Sequence, residues 1–237
     1  MALNLLLDGY VEKITINDLD RSIYAFWYSI LTNTEKFCTK IKNTEVTFNN
    51  WKRFKKVFLD KEKASLFDLG FATFFLNRTN RSGIINGGVI GGVEQKGEYK
   101  IDCRFNKDDL IDRIKFIALH KKNIHLYMMD ALDLIEKVQK DMQDDNVIFY
   151  LDPPYYEKGP SLYMNFYKHD DHARVSKAIK KIRKAKWIVS YDNTMEIKKL
   201  YSGCKRKEYA LMHTAYKAKE GREILFFSKN LIVPEIC

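Results

Sequence analysis

The stretch Asn146–Tyr156, NVIFYLDPPYY, decides how the rest of the chain is read. Val147 to Leu151 is a continuous apolar run of the kind expected of a buried strand. Pro153 and Pro154 cannot prolong that strand, because neither has an N–H to give to a ladder. The chain must therefore leave the sheet at Asp152 with a stiff backbone. A stiff loop fixes two acceptors beside each other, the Asp152 carboxylate and the Pro153 carbonyl, with the Tyr155 ring next to them. Taken alone, Asp-Pro-Pro is also what a rigid turn uses. Its position at the end of a strand is what points to a site.

Two neighbouring acceptors suit a donor with two N–H bonds, such as the exocyclic amino group of a base, and Tyr155 suits stacking on the ring of that base. An adenine amino lone pair is delocalised into the ring. Holding both of its hydrogens favours a tetrahedral nitrogen whose lone pair attacks a methyl on sulfur. Catalysis of that kind is mostly positioning and electrostatics. A base inside a duplex cannot reach such a pocket and has to be flipped out, with Tyr155 and Tyr156 steadying it.

Outward from this loop, strands and helices alternate. Ala2 to Leu7 reads as a helix ended by Asp8-Gly9, Lys13 to Asn17 as a strand, and Leu19 to Leu31 as a helix. Asn106, with Asp109 three residues on, marks a helix start for Lys107 to His120. Then follow a strand at Ile124–Met129, a helix at Leu132–Gln139, the strand before Asp152, a helix at His172–Lys184, a strand at Trp187–Tyr191 and a helix at Glu196–Tyr201. Arg206–Met212 and Glu223–Ser228 look like a closing antiparallel pair. This order predicts an α/β fold with a mostly parallel sheet and helices on both faces.

Four of the strands run directly into an aspartate: Asp18, Asp130, Asp152 and Asp192. Aspartate is common at strand exits as a turn former or helix cap. Ligands of open α/β sheets, however, bind outside the carboxyl ends of the strands, and four aspartates there would rim one crevice. Asp18 is placed to hydrogen-bond a ribose, with Asp20 as the rival for that role. Asp130, with Ala131 beside it, either accepts from the amino group of a bound adenine or caps the next helix.

Residues 32–105 are different in character, rich in Lys, Asn and Phe and holding most of the glycines, and they read as an insert. Gly87-Gly88 and Gly91-Gly92 frame an apolar pair, which suggests a loop or hairpin. The whole sequence has 237 residues, 46% of them hydrophobic, so one domain carrying an insert is expected. Lys and Arg number 41 against 31 Asp and Glu, and the net charge of +10 favours an anionic partner such as nucleic acid. The cysteines, Cys38, Cys103, Cys204 and Cys237, are far apart, so neither a metal site nor a disulfide framework is suggested, and a reduced, cytosolic protein is expected. No apolar run is long enough to span a bilayer, and the start, with Asp8 and no basic leader, does not read as a secretory signal. A dinucleotide-dependent oxidoreductase is disfavoured, since no G-x-G-x-x-G is present.

The sequence resembles the Dam-like, alpha-class DNA adenine methyltransferases over nearly its whole length. The matching segments are Ile14–Trp27, Phe74–Ile84, Arg104–Ile114, Leu126–Ile135, Leu151–Tyr156, Trp187–Asn193 and Gly221–Lys229. The resemblance implies a Rossmann-like methyltransferase sheet formed by residues 1–31 and 106–237, with 32–105 as an inserted DNA-recognition region. It implies S-adenosylmethionine as donor and double-stranded DNA as substrate. Asp152, Pro153, Pro154 and Tyr155 would be the catalytic motif, and Asp18, Asp130, Ala131 and Asp152 would meet the cofactor. Arg78, Asn80, Arg81 and Tyr156 are candidate DNA contacts, and Lys205-Arg206-Lys207 and the run from Lys217 to Arg222 are candidate phosphate contacts. Members of that family also carry a first strand ending in a Phe-x-Gly-Gly-type loop. Met1 falls where the helix after that loop begins, so an N-terminally truncated enzyme is expected. The alternatives are a catalytically incomplete DNA-binding remnant and an RNA base amino-methyltransferase.

Overall fold

The computed structural model describes residues 1–141, 146–157, 167–213 and 219–233. The chain divides into two compact units, Met1–Asp130 and Ala131–Cys237.

The first unit contains α1 (Ala2–Leu7), β1 (Ile14–Asn17), α2 (Arg21–Thr32), α3 (Thr34–Asn43), α4 (Phe48–Leu59), α5 (Leu66–Thr79), α6 (Lys107–Leu119) and β2 (Ile124–Tyr127). The helices start where short polar side chains satisfy their free N–H groups. Asp20 accepts from the Ser22 N–H at 2.8 Å, Thr47 from Asn50 at 3.2 Å, Ser65 from Asp68 at 3.1 Å, and Asn106 from Asp109 at 3.4 Å. The last of these is the cap read from the sequence. β1 and β2 pair in parallel, from Ile14 opposite Ile124 to Asn17 opposite Tyr127.

Three helices, α3 to α5, occupy the stretch read as an insert. Their phenylalanines build the core of this unit. Phe37, Phe54, Phe71, Phe74, Phe75 and Phe105 are buried together, with Phe54 and Phe75 ring centroids 4.6 Å apart. The insertion boundaries expected at residues 31 and 105 therefore do not coincide with a boundary between compact units. The reason is the contact between α2 and α5. At Gly70 an added Cβ would lie 2.3 Å from the Ala25 carbonyl oxygen and 2.7 Å from Ser29 Oγ. Only glycine lets the two backbones approach so closely.

The second unit contains α7 (Ala131–Asp141), β3 (Ile148–Leu151), α8 (His169–Lys180), β4 (Lys186–Asp192), α9 (Met195–Leu200), β5 (Lys205–His213) and β6 (Lys219–Phe227). Its sheet order is β3-β4-β6-β5. β3 and β4 are parallel, with Leu151 opposite Val189, whereas β4–β6 and β6–β5 are antiparallel. The closing antiparallel pair read from the sequence is thus present. Val189, Tyr191, Ile197, Ile224 and Phe226 are fully buried at its core.

β3 departs from the expectation of a fully buried strand. Ile148 and Tyr150 are 42% and 41% exposed, while Phe149 is buried. Among the described residues β3 pairs only with β4, so it is an edge strand with one covered face. An apolar run cannot by itself distinguish that from a central strand. No described helix is long and apolar enough to cross a membrane.

Gly70→Ala is expected to destabilise the fold by about 1–3 kcal/mol, because α2 and α5 must move apart and the gain in helix propensity does not offset it. A lowered urea midpoint would confirm the close approach; an unchanged or raised one would refute it.

Candidate functional site

In the second unit, Asp152 follows the last residue of β3, and Asp192 is the last residue of the parallel neighbour β4. Both lie at the carboxyl end of that strand pair. The Asp192 side chain accepts two backbone bonds from the proline loop, from the Tyr156 N–H through Oδ1 and the Glu157 N–H through Oδ2, each 2.8 Å. The loop is stiff through its prolines and held at its far end by a carboxylate that is 6% exposed. Nothing in the sequence assigned Asp192 that function beyond its place at a strand exit.

Glu223 was not singled out by the sequence at all. It stands opposite Asp192 in the β4–β6 register and opposite Tyr209 in the β5–β6 register, and is itself 6% exposed. The Tyr155 hydroxyl donates to Glu223 Oε1 at 2.7 Å, and the Tyr209 hydroxyl donates to Oε2 at 2.6 Å. The ring of Tyr155 is thereby tied to the sheet. The signal for Glu223 is cross-strand register, which requires the pairing to be known first.

Asp152 is an exposed residue whose carboxyl is partly desolvated, which pushes it above the ordinary aspartate range, and the charge of Glu223 pushes it the same way. Tyr150, on the same strand, is also raised, by burial first and then by the charge of Asp152. Tyr156 turns to a different set of partners. Its hydroxyl lies 3.1 Å from His169 Nδ1, and its ring packs on His172 with centroids 5.1 Å apart.

In the first unit, Asp18 and Asp130 follow the parallel strands β1 and β2. Asn17 holds the two strand ends together: its Nδ2 donates to the Met129 carbonyl and its Oδ1 accepts the Met129 N–H, both at 3.0 Å. Asp18 Oδ1 accepts the Asp20 N–H at 2.8 Å. Oδ2 has no partner among the described residues. Burial raises the Asp18 carboxyl, the Asp20 N–H partly counters this, and the Asp20 charge adds to the rise. Asp20 is used internally. Burial alone would raise it, but hydrogen bonds from Ser22 and the Lys61 ammonium, 3.2 Å away, bring it below its usual value. Of the two rivals, Asp18 is therefore the one with an oxygen to offer. Asp130 immediately precedes Ala131, the first residue of α7.

The candidate DNA contacts separate clearly. Arg81 is exposed, in a single helical turn after α5. Arg78 is partly buried, donating from Nε to the Arg104 carbonyl at 3.1 Å. Burial lowers its guanidinium, and the nearby cations Arg104 and Arg113 lower it further. Asn80 is a correction. It is 0% exposed, accepts from Trp51 Nε1 at 2.6 Å, and donates to the carbonyls of Ile84 and Ile85 at 3.0 and 2.8 Å. Its amide is spent on bracing the glycine-rich loop and offers nothing to a base. The same loop carries the antiparallel bridge between Asn80 and Val89. Lys205 and Arg206 are exposed on β5, with the Lys205 ammonium on the carbonyls of Lys229 and Leu231. The run from Lys217 to Arg222 has its side chains, up to residue 221, outside the described residues.

Two predictions follow from this arrangement. Asp192→Ala leaves the Tyr156 and Glu157 N–H groups without their acceptor. Amide exchange at 156 and 157 should accelerate, and unchanged protection would contradict the anchoring. Asp152 works the other way. With its folded-state value raised, the fold disfavours its ionisation. That destabilisation is absent below the unfolded aspartate value of about 3.9 and grows as pH rises through the folded one. Asp152→Asn should therefore raise the urea midpoint at pH 7 and leave it nearly unchanged near pH 4; equal effects at both would sink the idea.

A family model described as D12 class N6 adenine-specific DNA methyltransferase matches residues 2–216. No curated protein matches the chain.

Proposed function

The chain belongs to the D12 class N6 adenine-specific DNA methyltransferases, and we propose that it moves a methyl group from S-adenosylmethionine to the amino group of an adenine flipped out of double-stranded DNA. The observation that carries this reading is the double anchorage of the Asp152-Pro153-Pro154-Tyr155 loop, by Asp192 at its far end and by Glu223 through the Tyr155 hydroxyl.

In this reading the Asp152 carboxylate and the Pro153 carbonyl accept the two hydrogens of the amino group. Tyr155 stacks on the base, and Pro154 keeps the two acceptors from drifting apart. The nitrogen lone pair is withdrawn from the ring and aimed outward. An anchored loop needs little reorganisation as the charge develops, which is the main source of rate in such a site.

The residues present fit the donor. Asp18 has a half-buried carboxylate with Oδ2 unpartnered among the described residues, as a ribose hydroxyl pair requires. Asp130 and Ala131 follow the neighbouring strand and would hold the adenosine part. When bound, S-adenosylmethionine supplies an electrophilic methyl on a sulfonium.

For the fold, the reading includes a Rossmann-like methyltransferase sheet. The parallel pairs β1–β2 and β3–β4, each within its own unit, support it. Residues 32–105 serve DNA recognition in this proposal. Exposed Arg81 and the cation group Arg78, Arg104 and Arg113 meet phosphate or guanine edges, while Asn80 only shapes the loop. Tyr156 serves the reading as an anchor of the loop, its N–H donating to Asp192 and its ring being engaged with His169 and His172.

The test is labelled methyl transfer to unmethylated DNA. Transfer should be abolished by Asp152→Ala and should land on adenine. DNA binding by Arg81→Ala should weaken, with the slope of log affinity against log salt reduced by about 1. Transfer to RNA but not DNA, or salt-dependent DNA binding with no transfer at all, would overturn the reading in favour of an RNA enzyme or a binding remnant respectively.

A further inference from the structure

Asp192 and Glu223 form an unfavourable pair by themselves. They are like charges directly opposite on an antiparallel ladder, each only 6% exposed. Such a pair is destabilising unless each carboxylate has its own donors. Here each has two. Asp192 has the loop N–H groups of Tyr156 and Glu157, and Glu223 has the hydroxyls of Tyr155 and Tyr209. A structural carboxylate on β6 would be satisfied by neighbours on the sheet. Glu223 instead takes one donor from the sheet, Tyr209, and one from the proline loop, Tyr155. Its charge also acts on Asp152, the first residue of that loop.

We propose that Glu223 is a positioning residue for methyl transfer, orienting the Tyr155 ring through its hydroxyl and holding it against the sheet with Tyr209 as a second brace. This rests on the functional reading above, in which Tyr155 stacks on the target base. Glu223 itself touches neither base nor donor. Tyrosine rather than phenylalanine at 155 is then explained: the ring supplies stacking, and the hydroxyl supplies the direction in which it stacks. The orientation is set before DNA arrives, so the ordering of the ring is not charged to the binding step.

The test is a double-mutant cycle on the full chain with steady-state methyl transfer. Glu223→Gln and Tyr155→Phe should each lower kcat by about tenfold or more, with KM for the donor within about twofold, and the double variant should be no worse than either alone. Removing the Glu223 charge should also shift the acid limb of the pH–rate profile. The titratable groups acting with Asp152 are Glu223 on β6 and Tyr150 on β3. Burial is the larger cause of the raised Asp152 carboxyl and the Glu223 charge the second; Glu223→Gln removes that second cause, so activity should persist to lower pH, and Tyr155→Phe should not produce this shift. An unchanged kcat in Glu223→Gln, or losses that multiply in the double variant, would overturn the proposal.

A second measurement separates this from failure of the functional reading. With Tyr155 replaced by 3-fluorotyrosine, the fluorine resonance should move and broaden in Glu223→Gln. If the unaltered chain transfers no methyl group, the functional reading falls, and the fluorine spectrum still decides whether Glu223 holds the ring. A spectrum indifferent to Glu223→Gln refutes that hold.

Discussion

Two buried carboxylates face one another where β4 meets β6, and the shape of the proline loop depends on how each is satisfied. Asp192 and Glu223 are held by four donors, three of which come from the stretch Tyr155–Glu157. Placing two acidic groups there opposes folding on its own. It becomes tolerable only if the loop sits down on them. The loop is thus fixed from two directions: by the prolines, which narrow its own backbone choices, and by charge-assisted bonds, which are roughly twice as strong as neutral ones. Neither alone defines the position of both the Asp152 carboxylate and the Tyr155 ring. Together they do.

The first unit obeys a different constraint. Its core is aromatic, and bulky rings leave little freedom in how helices approach. The six phenylalanines around Phe74 pack mostly tilted or edge to face, the arrangements the ring quadrupole prefers. That packing works only because α2 and α5 come together at Gly70. The glycine-rich loop after α5 is then carried by a buried side chain, Asn80, whose amide joins Trp51 on α4 to the loop carbonyls. A polar group so fully used sets loop shape more rigidly than an apolar one would.

These constraints explain what was legible in the sequence and what was not. Local signals were readable because they act over a few residues: the Asn106 cap, the glycine after α1, and the halt imposed by Pro153 and Pro154. The order of strands and helices was readable in the same way, and so was the antiparallel closure of β5 and β6. The edge character of β3 was not, because Ile148-Phe149-Tyr150 looks the same whether one or both faces are covered. The helices between residues 34 and 79 escaped notice because Lys and Asn broke up their composition, although Phe37, Phe54 and Phe71 point into one core. Asn80 was misjudged for a related reason. An Asn flanked by arginines looks like a base reader until the Trp51 indole is found on it. Glu223 was invisible, since its partners Tyr155 and Tyr209 lie 68 and 14 residues away.

The carboxylates themselves show where the fold yields to something other than stability. Asp18 and Asp152 both have raised carboxyls, with desolvation the first cause in each. The two could have been managed as Asp20 is, with donors from Ser22 and an ammonium from Lys61. They are not. Asp18 keeps an oxygen without a partner among the described residues, and Asp152 is placed near a second negative charge rather than a positive one. Local rules of charge satisfaction are followed at the caps and broken at two strand exits. Such breaks concentrate where a ligand supplies the missing partner. At each exit the missing partner is a hydrogen-bond donor, which is what a bound hydroxyl or amino group supplies.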